Sequence, residues 1–123
     1  MKGIVAFYPT NDVTATRQFY EDILKLSLFM DQGNAVIYDT GYGYLGFCDY
    51  QDQRSCEHVC ISFNKESVAA VDYAYEQLPA AIQATKPAMH PHFPVYSFFF
   101  KDNNGYTLEI QYINTIKKDA NCL

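Results

Sequence analysis

Few residues in this chain are equipped for chemistry. It holds three histidines (His58, His90 and His92) and four cysteines (Cys48, Cys56, Cys60 and Cys122). His58 and Cys60 lie two positions apart, and a cysteine nucleophile requires a base within hydrogen-bond reach. On a strand, however, positions i and i+2 sit about 6.5–7 Å apart at the backbone, so Cys60 is expected to be an inert small side chain. His90-Pro91-His92 places two imidazoles on one short segment where either could join a metal site. Proline holds its neighbours extended, so both rings are expected in solvent. The cysteines form no CxxC pair, so they read as free thiols and not as a zinc knot. A glycine-rich phosphate loop, a serine-nucleophile motif and HExxH are all absent.

Composition narrows the classes further. The formal charge is −5 and the longest basic run is Lys117-Lys118, so the basic stripe that nucleic-acid binding needs is missing. No apolar run approaches the ~18 residues of a membrane span. Met1-Lys2-Gly3-Ile4 does not open a signal peptide, so a cytoplasmic location is expected. With 123 residues, 49% of them hydrophobic, one packed domain is expected. The 11 Tyr and 9 Phe, with no Trp, suffice to wall an aromatic cavity or to fill a core and a dimer interface.

The elements that must position these groups occur twice. Gly3 to Tyr8 reads as a strand, Asn11 or Asp12 as a helix cap, and Thr16, Phe19, Ile23 and Leu26 as one buried helical stripe. Short strands follow at Ser27–Asp31, Ala35–Tyr38 and Tyr44–Cys48, with a turn at Gln32-Gly33-Asn34. The pattern restarts with a strand over His58–Phe63 and Asn64 as cap. Val68, Val71, Tyr75 and Leu78 form a stripe of the same spacing, closed by Pro79. Strands over Val95–Phe100 and Thr107–Tyr112 flank the turn Asp102-Asn103-Asn104-Gly105. Aligning Val5 with His58 and Gly46 with Glu109 leaves the second half about ten residues longer, in the segment around Pro87, Pro91 and Pro94. Two βαβββ modules, about 1–52 and 56–115, with a short C-terminal tail, are the expected organisation of an α+β domain.

These residues resemble the vicinal-oxygen-chelate superfamily, the fold of glyoxalase I, bleomycin-resistance proteins and extradiol dioxygenases. Asp12, Phe19-Tyr20 and Ile23-Leu24-Lys25-Leu26 are similar to its opening signature, with Lys25 where glycine is usual. Glu57 to Phe63 resembles its mid-chain histidine strand. Phe100 to Ile110 resembles its closing segment, with Asn103 where proline is usual. The resemblance implies a curved mixed sheet of about eight strands around a cleft, with two helices outside it, and commonly a homodimer.

Metal-bearing members take ligands from the first and last strand of each half, where the ion polarises adjacent substrate oxygens. Carried over, those positions are Val5, Gly46, His58 and Glu109, so only His58 and Glu109 retain a ligating side chain. Two protein ligands seldom hold a divalent ion tightly, which implies no tightly bound cofactor and at most a weakly held metal. Otherwise His58 and Glu109 act as an acid/base pair, in which the carboxylate stabilises the imidazolium, or as a structural polar pair. Strand alternation puts His58, Cys60 and Ser62 on the cleft face, together with Thr107, Glu109 and Gln111. Gly3, Val5 and Phe7 face it from the first half with Gly46 and Cys48, and Tyr96 and Phe98 are expected among its walls. The leading function is binding of a small aromatic or amphipathic molecule. The competitors are a metal-dependent lyase, isomerase or dioxygenase-like enzyme using His58 and Glu109, and a purely structural dimer module.

Overall fold

Helix α1 (Val13–Arg17) starts on Asp12, whose Oδ1 accepts from the Ala15 N–H at 2.9 Å and so pairs an amide that a helix start leaves open. Over Gln18–Ile23 the winding widens into a π turn. There the Leu24 N–H reaches Phe19 O at 3.0 Å and the Leu26 N–H reaches Tyr20 O at 2.9 Å. Lys25 ends it with φ 61°, the left-handed geometry that favours glycine. The wider turn alters the expected stripe. Thr16 and Phe19 are buried, but Tyr20 is fully buried too, while Ile23 and Leu26 are only half-buried. Tyr20 packs against Tyr38 and Phe47, with ring centroids 5.8 and 4.5 Å away.

The computed structural model describes residues 3–51 and 59–114. Helix α2 (Val68–Gln77) is capped by Ser67, whose Oγ accepts from the Ala70 N–H at 3.0 Å. Asn64, the expected cap, lies in a strand instead. Leu78 takes an extended backbone ahead of Pro79 and ends the helix there. The described residues also include eight strands: β1 (Val5–Pro9), β2 (Ser27–Asp31), β3 (Ala35–Asp39), β4 (Tyr44–Cys48), β5 (Cys60–Asn64), β6 (Ala88–Met89), β7 (Val95–Lys101) and β8 (Thr107–Ile113). They form two four-stranded sheets, ordered β1-β4-β3-β2 and β5-β8-β7-β6. In each, the first and last strand of the module run parallel and the other pairs antiparallel. This is the expected α+β architecture of tandem βαβββ modules. The two-residue β6 occupies the proline-rich segment that lengthens the second half.

The described residues separate into two compact units, 3–51 with Asp102–Gly105, and 59–101 with 106–114. The turn after β7 therefore belongs to the first unit. Tyr20 Oη donates to the buried Asp102 Oδ2 at 2.7 Å, and Thr10 Oγ1 donates to Asn104 Oδ1 at 2.7 Å. Asn103 Nδ2 donates to the buried Thr16 Oγ1 at 3.1 Å, a bond that proline at this position would lack.

Each sheet packs one face against its own helix. In the first unit Val36, Tyr38, Leu45 and Phe47 are buried on that face with Tyr20. In the second, Phe98, Phe100, Leu108 and Ile110 are buried with Val71, and Tyr75 meets Phe98 edge-on at 5.3 Å. Burying each such side chain contributes about 1.5–3 kcal/mol. An ion-pair cluster ties α1 to the first sheet. Arg17 grips Glu21 through Nε at 2.7 Å and Nη2 at 3.2 Å and reaches Asp31 through Nη1 at 2.9 Å, while Tyr38 Oη donates to Glu21 at 2.9 Å. No helix among the described residues is long and apolar enough to cross a membrane.

Candidate functional site

The second sheet's open face is built in rows, because paired residues on adjacent strands share a side of the sheet. The first row is Cys60, Thr107 and Lys101; the second is Ser62, Glu109 and Phe99; the third is Asn64, Gln111 and Ser97. The rows are knitted by side-chain hydrogen bonds. Ser62 Oγ donates to Glu109 Oε1 at 2.5 Å, and Gln111 Nε2 donates to Asn64 Oδ1 at 2.8 Å. Lys101 Nζ donates to Thr107 Oγ1 at 2.7 Å, and the Cys60 sulfur lies 3.7 Å from Ser62 Oγ. Phe99, beside the carboxylate, keeps 37% of its surface exposed, whereas its neighbours Phe98 and Phe100 are buried on the other face.

The first sheet's open face has the same construction and opposite chemistry. Its rows are Val5, Tyr44 and Asp39; Phe7, Gly46 and Ile37; and Pro9, Cys48 and Ala35. Phe7 is 43% exposed and Val5 40%. A Cβ built on Gly46 would stand 2.6 Å from Cδ1 and Cε1 of the Phe7 ring, so that ring fills the volume a side chain at 46 would claim.

Solved structures share this fold over nearly the whole chain. Lactoylglutathione lyase from Agrobacterium tumefaciens matches with a TM-score of 0.76 at 20% identity, over 89% of this chain and 91% of that one. A glyoxalase/bleomycin resistance protein/dioxygenase from Nocardioides matches at 0.76 and 20%, over 92% and 83%. A glyoxalase/bleomycin resistance protein/dioxygenase family enzyme from Burkholderia phytofirmans PsJN matches at 0.75 and 17%, over 89% and 96%. The chain has the glyoxalase/bleomycin-resistance fold. No family model matches the sequence, and no curated protein matches it significantly.

On the glyoxalase/bleomycin-resistance fold the expected site residues divide. Cys60, Glu109 and Gln111 share the second sheet's open face, and Val5, Phe7, Gly46 and Cys48 share the first sheet's. Tyr96 and Phe98 do not stand where they were expected. Pairing with Tyr112 and Ile110 turns them to the helix side, where Phe98 is fully buried and Tyr96 Oη donates to Asp72 Oδ1 at 2.6 Å. That bond, more than burial, raises the Tyr96 pKa above its ordinary value. His58 lies outside the described residues. The ladders also shift the tandem alignment by two residues. Val5 pairs with Tyr44 and Cys60 with Thr107, so with Gly46 matched to Glu109 the counterpart of Val5 is Cys60 rather than His58.

Reading residues one by one missed Phe99 and Asn64, which stand beside Glu109 and Gln111 on this face. Aromatics fall on both faces of β7, which hides its alternation. Ser97, the small polar residue of that strand, marks the parity that brings Phe99 beside Glu109.

The chelating set fits these residues poorly. Val5 offers methyl groups, and Gly46 has no side chain and lies against the Phe7 ring. His90 does not make up the deficit. Its Nδ1 accepts from the backbone N–H groups of His92 at 3.0 Å and Phe93 at 3.2 Å. A neutral imidazole has one ring lone pair, so His90 closes its own turn and presents Nε2–H as a donor. Among the described residues no three His, Cys, Asp or Glu side chains gather as a metal site requires. What the second sheet does provide is a carboxylate with one oxygen hydrogen-bonded, flanked by a hydroxyl and an exposed ring.

Proposed function

We propose that this protein binds a small molecule on the open face of its second sheet, anchored by Glu109, without a tightly held cofactor. The row Ser62, Glu109, Phe99 carries the reading. A hydroxyl orients the carboxylate, an exposed ring beside it offers apolar area, and the strand's other face is fixed by core packing under α2. Sites for small molecules combine apolar walls with a few placed polar groups in this way. Glu109→Gln and Ser62→Ala test it in a thermal-shift screen of metabolites and antibiotics. A ligand at a hundredfold its Kd stabilises the native state by about 2.7 kcal/mol. The expected result is loss of that shift in both variants, with melting of the unliganded proteins little changed.

A second reading, a metal-dependent lyase, isomerase or dioxygenase-like enzyme using His58 and Glu109, is supported by the retained carboxylate and by the lactoylglutathione lyase among the structural neighbours. It lacks the ligands that Val5 and Gly46 would have to supply. Pairing with a second copy belongs to either reading and is supported by the apolar edge strand β2, where Leu28, Phe29 and Met30 are exposed. Sedimentation at micromolar concentration tests it.

A further inference from the structure

We propose that the ligand of this face is an aromatic or apolar amine, its ammonium group on Glu109 and its body on Phe99. The inference rests on the binding role proposed above and names the ligand's chemistry.

Counting donors and acceptors along the rows leads to it. Ser62 donates to one Glu109 oxygen, and Gln111 gives an amide N–H to Asn64. Gln111 keeps its carbonyl and one N–H, and Asn64 its amide donors, so the acceptor-only group beside Phe99 is the Glu109 carboxylate with its second oxygen open. Glu109 has no ion-pair partner among the described residues, so its charge is oriented by the fold but not neutralised. Phe99 adds the negative face of a π system. The chain's charge of −5 favours cations at longer range. An ammonium satisfies all three, because it donates to the carboxylate and the carbonyl and sits well at an aromatic face. Lys101 is the competing feature, one row away. Its Nζ donates one of three N–H groups to Thr107 Oγ1 at 2.7 Å and keeps two for an anion, so the probes must include an anionic head.

Three probes with one ring and different heads separate the cases: 2-phenylethylamine, 2-phenylethanol and 3-phenylpropionate. Each is titrated at millimolar concentration, near neutral pH and low salt, while backbone amide proton–nitrogen spectra are recorded. The amine is expected to shift the amides of Ser62, Phe99, Glu109 and Gln111 and to bind at least about tenfold tighter than the carboxylate. Glu109→Gln should erase that gap, and Lys101→Ala should leave amine binding equal or tighter. Added salt should narrow the gap in the unmodified protein, which tests the charge argument without any variant. Stronger binding of phenylpropionate on the same amides, lost in Lys101→Ala, would overturn the amine and leave the site standing. Equal binding of all three probes, untouched by Glu109→Gln, would also overturn it. If no probe moves these amides, both the amine and the binding face fall.

Discussion

The ring of Phe7 occupies the space in which a side chain on Gly46 would begin, 2.6 Å from the position of its Cβ. The counterpart of this pair in the second unit is Ser62 with Glu109, joined by a hydrogen bond. The same two ladder positions hold a large ring over no side chain in one sheet and a small hydroxyl beside a carboxylate in the other. Neither member of the first pair can take on the second pair's chemistry alone.

Gly46→Ala is therefore expected to destabilise the protein by about 1–2 kcal/mol, because the added methyl must displace the ring. In a Phe7→Ala background the same substitution should cost less than about 0.5 kcal/mol. Urea denaturation of the four proteins in this cycle measures the coupling. Additive effects would mean that the ring moves aside freely.

At Lys25 the expectation has the opposite sign. A lysine holds φ 61° where the helix end bonds back from Leu26 to Tyr20, and a side chain there is strained in a way that glycine is not. Lys25→Gly should raise stability by roughly 0.5–1 kcal/mol. A loss of stability on denaturation would show that the lysine side chain makes a compensating contact.

Most of this fold was legible because a stripe at fixed spacing recurs in both halves, although the cap of α2 is Ser67 and not the expected Asn64. Asp12 and Pro79 act where their chemistry says they should. The π turn was not legible, since nothing in Gln18–Ile23 marks an extra residue per turn, and so Tyr20 was left out of the buried stripe. Nor was the tandem register. The step from Val5 to its counterpart is set by strand pairing, and a two-residue slide keeps every side chain on the same face, so alternation cannot detect it. Glu109 and Gln111 were readable because their strand alternates cleanly between polar and apolar residues. Tyr96 and Phe98 were misplaced because β7 carries aromatics on both faces.

The cluster around Glu21 and Tyr38 should shape stability at both ends of the pH scale. The Arg17 hydrogen bond, foremost, holds the Glu21 carboxyl below its ordinary value, and the Tyr38 hydroxyl adds to this. A lowered folded pKa contributes stability above the unfolded value of about 4.3 and loses it as pH falls through the folded one. Burial, more than the bond to Glu21, raises the Tyr38 pKa. Its contribution is complete below the unfolded value of about 10 and is lost as pH climbs beyond it. Glu21→Gln should flatten the acid limb of a stability–pH curve. Tyr38→Phe should flatten the alkaline limb and cost about 1 kcal/mol near neutrality. An unchanged alkaline limb in Tyr38→Phe would assign that limb to other tyrosines.

The last prediction concerns metal. The protein purified without chelator should carry no stoichiometric, tightly held divalent ion, because a tight site commonly needs three or four protein ligands. Val5 and Gly46 supply none, and His90 uses its Nδ1 lone pair within its own turn. Plasma emission after gel filtration measures this directly. About one zinc, nickel, manganese or iron per chain would overturn it and favour the enzyme reading. Rebuilding the first sheet's positions makes a stricter test, and the ring over Gly46 dictates how. Val5→His with Gly46→Glu alone asks the new carboxylate to enter volume that Phe7 fills. With Phe7→Ala added, the pair should bind metal far more tightly than either the parent or the double variant. A folded triple variant with no gain would mean that these positions do not direct their side chains toward a common ion.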